Sequence, residues 1–125
     1  MTTGISILKH IRTKLLANTE LAEIVVSKVF SYVAEDSTTY PFVVMKKSNV
    51  TANYTKDGRM SDSVVVDITI VGDNYSIVVN IAELVRASLE RVKHNGIVNC
   101  ELLGNNEDYI TDAYVSTLTF SITIK

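Results

Sequence analysis

Two stretches of the chain carry a helical repeat of apolar residues. In Gly4 to Ala17, Leu8, Ile11 and Leu15 recur at i, i+3 and i+7, while Lys9, Arg12 and Lys14 fall elsewhere, which predicts an amphipathic helix. Thr2 or Thr3 is placed to cap its start and Asn18 to take a left-handed stop. Thr19 then offers a second cap ahead of Glu20, Leu21, Ala22, Glu23 and Ile24, and an acid in a first turn suits the helix dipole, so a short helical turn is expected. The second repeat is stronger. Val78, Ile81, Ala82, Val85, Leu89 and Val92 form one stripe, with Asn80, Glu83, Arg86, Glu90 and Arg91 off it, and this predicts a helix over Asn74 to Lys93. Asp73 or Asn74 is its cap, Arg86 and Glu90 are spaced i, i+4 for an ion pair, and Lys93, His94, Asn95 and Gly96 supply cations and then a stop.

Elsewhere the period is two. Val64, Val66, Ile68 and Ile70 share one face of Ser61 to Gly72, and Asp67 and Thr69 share the other with Val65 and Val71, with Asp67 pointing away from the core. At the end of the chain Tyr114, Ser116, Leu118, Phe120, Ile122 and Ile124 alternate with Ala113, Val115, Thr117, Thr119, Ser121 and Thr123, a strand with one apolar and one threonine-rich face. Lys28 to Val33, Phe42 to Tyr54 and Ile97 to Leu103 also read as strands, with turns at Asp57-Gly58 and at Gly104-Asn105-Asn106. The order α, β, β, β, α, β, β, with short turns and single-striped helices, predicts an α+β fold. Its sheet is mainly antiparallel, four- to five-stranded, with both helices on one face. The other face, with Thr117, Thr119, Ser121 and Thr123, is either a partly wet contact with another subunit or a set of ordinary exposed strand positions.

Composition agrees with this and narrows the chemistry. Val, Thr and Ile make up 42 of the 125 residues, and β-branched side chains favour sheet. The length predicts a single domain over residues 1–125. Five glycines, one proline and a net charge of −2 exclude collagen-like, low-complexity and disordered classes, and twelve basic against fourteen acidic residues give no field to hold a polyanion. Charges at Lys9, His10, Arg12 and Lys14 interrupt any signal-peptide core, and no apolar run reaches membrane-spanning length, so a soluble chain made in a cytoplasm is expected. One cysteine and two histidines cannot fill a structural zinc site.

No constellation points to catalysis, and no cofactor or metal is expected. Cys100 lies in an alternating apolar strand without a glycine-rich elbow and reads as a small hydrophobe. His10 and His94 are far apart, and Glu107, Asp108 and Asp112 lack the spacing of a calcium loop and read as a solvated turn. The local basic excess at Lys46, Lys47, Lys56 and Arg59 is either edge protection or a contact or lumen surface, with Tyr54 and Met60 flanking the hairpin tip as apolar anchors.

The order of features carries a resemblance. An N-terminal amphipathic helix leads to a short apolar segment and strand over Ile24 to Val33, then Tyr40-Pro41-Phe42-Val43-Val44-Met45 enters a second strand. The charged hairpin Tyr54-Thr55-Lys56-Asp57-Gly58-Arg59 leads to Val66-Asp67-Ile68-Thr69-Ile70, and Gly72 to Tyr75 join this strand to the long helix. Glu107-Asp108-Tyr109, Tyr114 and Phe120 close the chain. Over essentially its full length the sequence resembles the tail terminator or tail completion proteins of long-tailed bacteriophages and prophages. It departs from them at Ala34 to Thr39, where relatives often have glycine and proline.

The resemblance implies a structural virion protein, not an enzyme. That protein is a homo-oligomeric ring, usually hexameric, which caps the finished tail tube, ends its polymerisation and offers its opposite face to the head-tail connector. Its implied partners are further copies of itself, the tail tube protein and the connector, with genomic DNA passing through and no membrane involved. Its implied place is the head-proximal end of the tail, after assembly in the host cytoplasm. The competing class is a cellular or prophage-encoded oligomeric α+β binding module without catalytic activity.

Overall fold

The computed structural model describes residues 3–26, 28–34, 38–54, 60–91 and 97–125. Three helices, α1 (Ile7–Ala17), α2 (Thr19–Val25) and α3 (Tyr75–Leu89), and five strands follow one another as α1, α2, β1 (Val29–Ser31), β2 (Phe42–Tyr54), β3 (Met60–Gly72), α3, β4 (Ile97–Ile110) and β5 (Ala113–Ile124). The strands form one sheet in the order β1-β2-β3-β5-β4. The α+β class, the antiparallel bulk of the sheet and the helical layer on one face all agree with the sequence reading.

The boundaries shift for identifiable reasons. The first helix begins at Ile7 instead of Gly4, because Gly4 is held against β3: its N–H donates to Asp62 Oδ2 at 2.8 Å, and a turn closed by Ser6 N–H to Thr3 O at 3.2 Å follows. Asn18 is extended (φ −78°) and not left-handed. Its side chain accepts from Leu21 N–H at 3.3 Å, so Asn18, not Thr19, caps α2. Asn18 Nδ2 also donates to Ser88 Oγ at 3.0 Å, tying the α1–α2 joint to α3. The helix α3 starts as expected, with Asn74 accepting from Ser76 and Ile77, but ends at Leu89. There Arg91 turns left-handed (φ 60°) and its N–H donates to Cys100 O at 2.7 Å, which directs the chain into β4. The stop expected at Lys93 to Gly96, like the loop residues Glu35, Asp36 and Ser37, lies outside the described residues.

Two sheet expectations are corrected. β1 is only three residues long and pairs parallel to β2, Val29 with Val43 through Ser31 with Met45, since the connection over residues 32–41 is long enough to carry the chain back to the same end of the sheet. Gly104-Asn105-Asn106 is strand, not turn: β4 continues to Ile110, and the reversal is made by Thr111 and Asp112, both left-handed (φ 51° and 61°), between the paired Ile110 and Ala113. Two central residues at positive φ are the twist-matched form of a two-residue hairpin.

The core lies between the sheet and the helices. Leu8, Ile11 and Leu15 of α1, Leu21 and Val25 of α2, and Val78, Ile81, Val85 and Leu89 of α3 are buried on Val43, Met45, Val64, Val66, Ile68, Ile70, Leu118, Phe120, Ile122 and Ile124. Both long helices therefore pack on the same side of the sheet. The period-two reading holds from Val64 to Val71 of β3 and from Val115 to Ile124 of β5, with Val65, Asp67, Thr69, Val71, Thr117, Thr119, Ser121 and Thr123 half-buried on the face that no helix covers, whereas Ala113 at the start of β5 is buried. On that face Thr119 Oγ1 donates to Asp67 Oδ1 at 2.8 Å, and the hydroxyls of Thr69 and Thr117 lie 3.3 Å apart.

Candidate functional site

Cross-strand register places each candidate contact residue. Lys46 stands opposite Asp67 on the uncovered face and is exposed. Lys47 is on the helix side, half-buried, with Nζ donating to Ile5 O at 2.7 Å, so one of the two basic side chains holds the start of the chain in place. Alternation thus sends Lys46 and Lys47 to opposite faces, and they do not form one basic patch. Tyr54 closes the described part of β2, 75% exposed and paired with Met60. Lys56 and Arg59, in the link between these two residues, lie outside the described residues, as does the side chain of Met60.

The β2–β3 ladder outruns the core. Every residue of β2 from Ser48 to Tyr54 is exposed, while β5 ends level with Asp62, so the Asn53–Ser61 and Tyr54–Met60 pairs extend past the last strand pair of β5. A register shift lies at Ser48, between the Lys47–Val66 and Asn49–Val65 pairs.

At the opposite end of the sheet the structure assembles a group that the sequence did not bring together. Tyr75 from the first turn of α3 meets Tyr114 of β5 edge-on at 5.6 Å between ring centroids, and Tyr109 of β4 meets Tyr114 at 4.8 Å. Tyr75 Oη donates to Glu107 Oε1 at 3.1 Å, and this acceptor carboxylate raises the phenol pKa above its usual value. The missed signal is the turn: with Thr111 and Asp112 as the two loop residues, Tyr109 and Tyr114 become a direct cross-strand pair.

Between α3 and the β4–β5 hairpin runs a groove of about 220 Å³, lined by Tyr75, Glu83, Arg86, Asn105, Glu107 and Ser116 among others. Several of its polar groups are already engaged. Arg86 Nε pairs with Glu90 Oε2 at 2.9 Å, as its spacing predicts, and Asn105 Nδ2 donates to the buried Ser116 Oγ at 2.9 Å. Cys100 is buried, and desolvation first, then Glu90 and Glu101, pushes its thiol up to about 11. It is a protonated hydrophobe at neutral pH, not an activated nucleophile. Among the described residues no cluster of His, Cys, Asp or Glu has the arrangement of a metal site, and no helix is long and apolar enough to cross a membrane. Glu107, Asp108 and Asp112 are exposed, but the expected solvated turn is corrected: Glu107 and Asp108 lie within β4, paired with Ser116 and Val115, and only Asp112 is in the turn.

The candidate surfaces are an overlong hairpin, an uncovered threonine face and a tyrosine-rich end. The chain shares its fold with a chain of the virion of a native gene transfer agent particle, with a TM-score of 0.78 and 19% identity over 91% of this chain and 90% of that one. No curated protein matches it. The family described as tail completion protein gp17 matches residues 9–125. With all but its first eight residues matched, the chain belongs to the tail completion protein gp17 family.

Proposed function

We propose that the protein is the subunit of a closed homo-oligomeric ring, a hexamer, that caps the head-proximal end of a phage tail tube. There it ends tube polymerisation and presents its other side to the head-tail connector, leaving a channel through which DNA passes. Family membership supports a structural tail protein. The observation that carries the finer reading is the exposed end of β2, seven consecutive exposed residues from Ser48 to Tyr54, of which the last two pair with β3 beyond the end of β5. An exposed strand edge of that length is an aggregation liability in a free monomer and is retained where a partner covers it. The uncovered face supports the same reading, since its centre is hydroxyl-rich and its acid Asp67 is hydrogen-bonded within the face. Copies related by a rotation that closes form a ring with no further component.

Deletion of the gene in the parent particle tests this. Tails of uncontrolled length that fail to join heads, with normal length restored by the wild-type chain, are expected, and a ring of copies is expected at the head-proximal end of wild-type tails by electron microscopy. Tails of normal length that join heads without the protein would overturn the assignment.

A further inference from the structure

The sheet has two open edges, and they differ in charge. β1 follows β2 only as far as Met45: its chain turns off at Tyr32, which is left-handed (φ 68°) and donates its N–H to Met45 O at 2.7 Å. From Lys46 to Tyr54 no described strand lies on that side of β2. At the other edge β4 is closed near its start, where Arg91 N–H donates to Cys100 O at 2.7 Å, and from Glu101 to Ile110 no described strand covers it. There the Tyr109 N–H is taken up by the neighbouring carboxylate, Asp108 Oδ1 at 2.8 Å. Apart from a register shift at Leu103, this stretch lacks the lysine or proline with which free edges are protected.

Residues 101–110 of β4 carry Glu101, Glu107 and Asp108 and no base, whereas residues 46–54 of β2 carry Lys46 and Lys47 and no acid. Two β4 edges would set acids against acids, and two β2 edges lysines against lysines, so the charges favour a contact between unlike edges. Such a contact between copies is heterologous. Strand direction fits it: three antiparallel pairings separate β2 from β4, so copies placed side by side in one orientation present the two strands antiparallel. The register follows from the faces, because directly opposite residues share one. Lys46, opposite Asp67, and Asp108, opposite Val115, are on the uncovered face, while Lys47 and Glu107, opposite the buried Val66 and Ser116, are on the helix side. Setting Lys46 opposite Asp108 also sets Lys47 opposite Glu107.

We propose that the β4 edge of one copy pairs antiparallel with the open β2 edge of the next, Lys46 opposite Asp108 and Lys47 opposite Glu107, so that the sheet continues from copy to copy. This rests on the ring reading and deepens it by naming the strands through which copies join. The occupant is a second copy of this chain, because the basic edge and the acidic edge are both present in it and their faces match. Lys47 gives one of its three donors to Ile5 O and keeps the others. Within one copy Lys46 is level with Gly104 through Asp67 and Thr119, four positions from Asp108. Neighbouring copies are therefore offset by about 13 Å along the strands, at ~3.3 Å per residue. A sheet that closes on itself carries such a stagger.

Paired cysteines and a charge swap in assembled tails test the contact. With Ser48 left unpaired, as it is toward β3, Asn49 comes opposite Asn106; both are exposed and on the uncovered face. Opposite residues of an antiparallel pair have Cα atoms ~4.5–5.5 Å apart, within disulfide reach. Inside one copy three strand spacings, about 14 Å, separate β2 from β4 and forbid the bond. Asn49→Cys with Asn106→Cys is therefore expected to give covalent multimers on mild oxidation, and each single variant none. Lys46→Glu alone and Asp108→Lys alone are each expected to lower incorporation into tails by about tenfold or more, and the two together to recover most of it. Tails that contain the cysteine pair without multimers would overturn the contact. Undiminished incorporation of the single charge variants, or no recovery in their combination while all stay folded by circular dichroism, would do the same. The ring reading fails separately: multimers without a closed ring on the tails would leave the edge contact and remove the ring, whereas a ring indifferent to these substitutions would do the reverse.

Discussion

Gly72 and Val78 approach so closely across the β3–α3 turn that a Cβ on the glycine would stand 2.7 Å from Val78 Cγ2. Val78 is buried, and a β-branched side chain in a helix has one strongly preferred rotamer, so it cannot swing aside. The close approach lets α3 turn back over β3 within two residues of the strand's end. Gly72→Ala is therefore expected to destabilise the fold by about 1–3 kcal/mol, as overpacking does. A lowered urea midpoint with an unchanged slope is the expected result, and an unchanged midpoint would show that the turn relaxes freely.

The other end of α3 makes a contrasting prediction. Leu89 is the last helical residue and buried, packed with the strand residues of the core, so Leu89→Ala should cost about 2–5 kcal/mol by loss of burial and creation of a cavity. Leu103→Ala, at an exposed position where the β4–β5 register shifts, should cost at most about 0.5 kcal/mol. Equal midpoints for the two variants would contradict the placement of α3 on the sheet.

The parts of the fold legible in the sequence are those set by burial periodicity. The stripes of α1 and α3 and the alternation of β3 and β5 are imposed by water on one side and core on the other: Leu8, Ile11 and Leu15, Val78, Ile81, Val85 and Leu89, and the alternate residues of Val64 to Ile70 and Ser116 to Ile124 are buried as expected, while Val92 lies outside the described residues. The features that differ from expectation rest on local backbone choices with no such pattern. Gly104-Asn105-Asn106 has turn composition but sits at a register shift within β4, while Thr111 and Asp112, without a glycine, make the turn because the flanking strands enforce it. The parallel pairing of β1 depends on a connection whose path no periodicity records. The candidate surfaces are half legible. Tyr54 and the charged link stand out in sequence, whereas the tyrosine end is drawn from three elements and exists only once the hairpin register is known.

Cys100 links burial to pH. Its thiol is pushed up from 9.0 to about 11 because the folded environment disfavours the thiolate. Below pH 9 the thiol is neutral in both states and its contribution is complete. Above that the unfolded chain ionises first, so the native state binds more protons and stability falls as pH rises through about 11. Cys100→Ala should flatten this part of the stability profile. At neutral pH the native chain should react slowly with a thiol reagent such as Ellman's and rapidly after denaturation; fast labelling of the native protein would mean that the β4 core is open.

The uncovered face yields the remaining prediction. Thr117 and Ser121 flank Thr119 on β5, half-buried by their neighbours and facing away from the helices, and neither takes part in the Asp67–Thr119 hydrogen bond. Lysines placed at both positions keep that bond and extend into solvent in the isolated chain. Replacing Thr117 separates its hydroxyl from that of Thr69, but on a face open to solvent water hydrogen-bonds the Thr69 hydroxyl in its place. The combined change should therefore cost the isolated fold at most about 1 kcal/mol. In the particle the outcome differs if this face is covered, because two ammonium groups at the centre of a contact would be desolvated without partners, which opposes association far more than it opposes folding. Thr117→Lys/Ser121→Lys is accordingly expected to melt close to the wild type and to be absent from tails. Normal incorporation of the folded double variant would place the face against open solvent, and its threonines would then be ordinary strand formers.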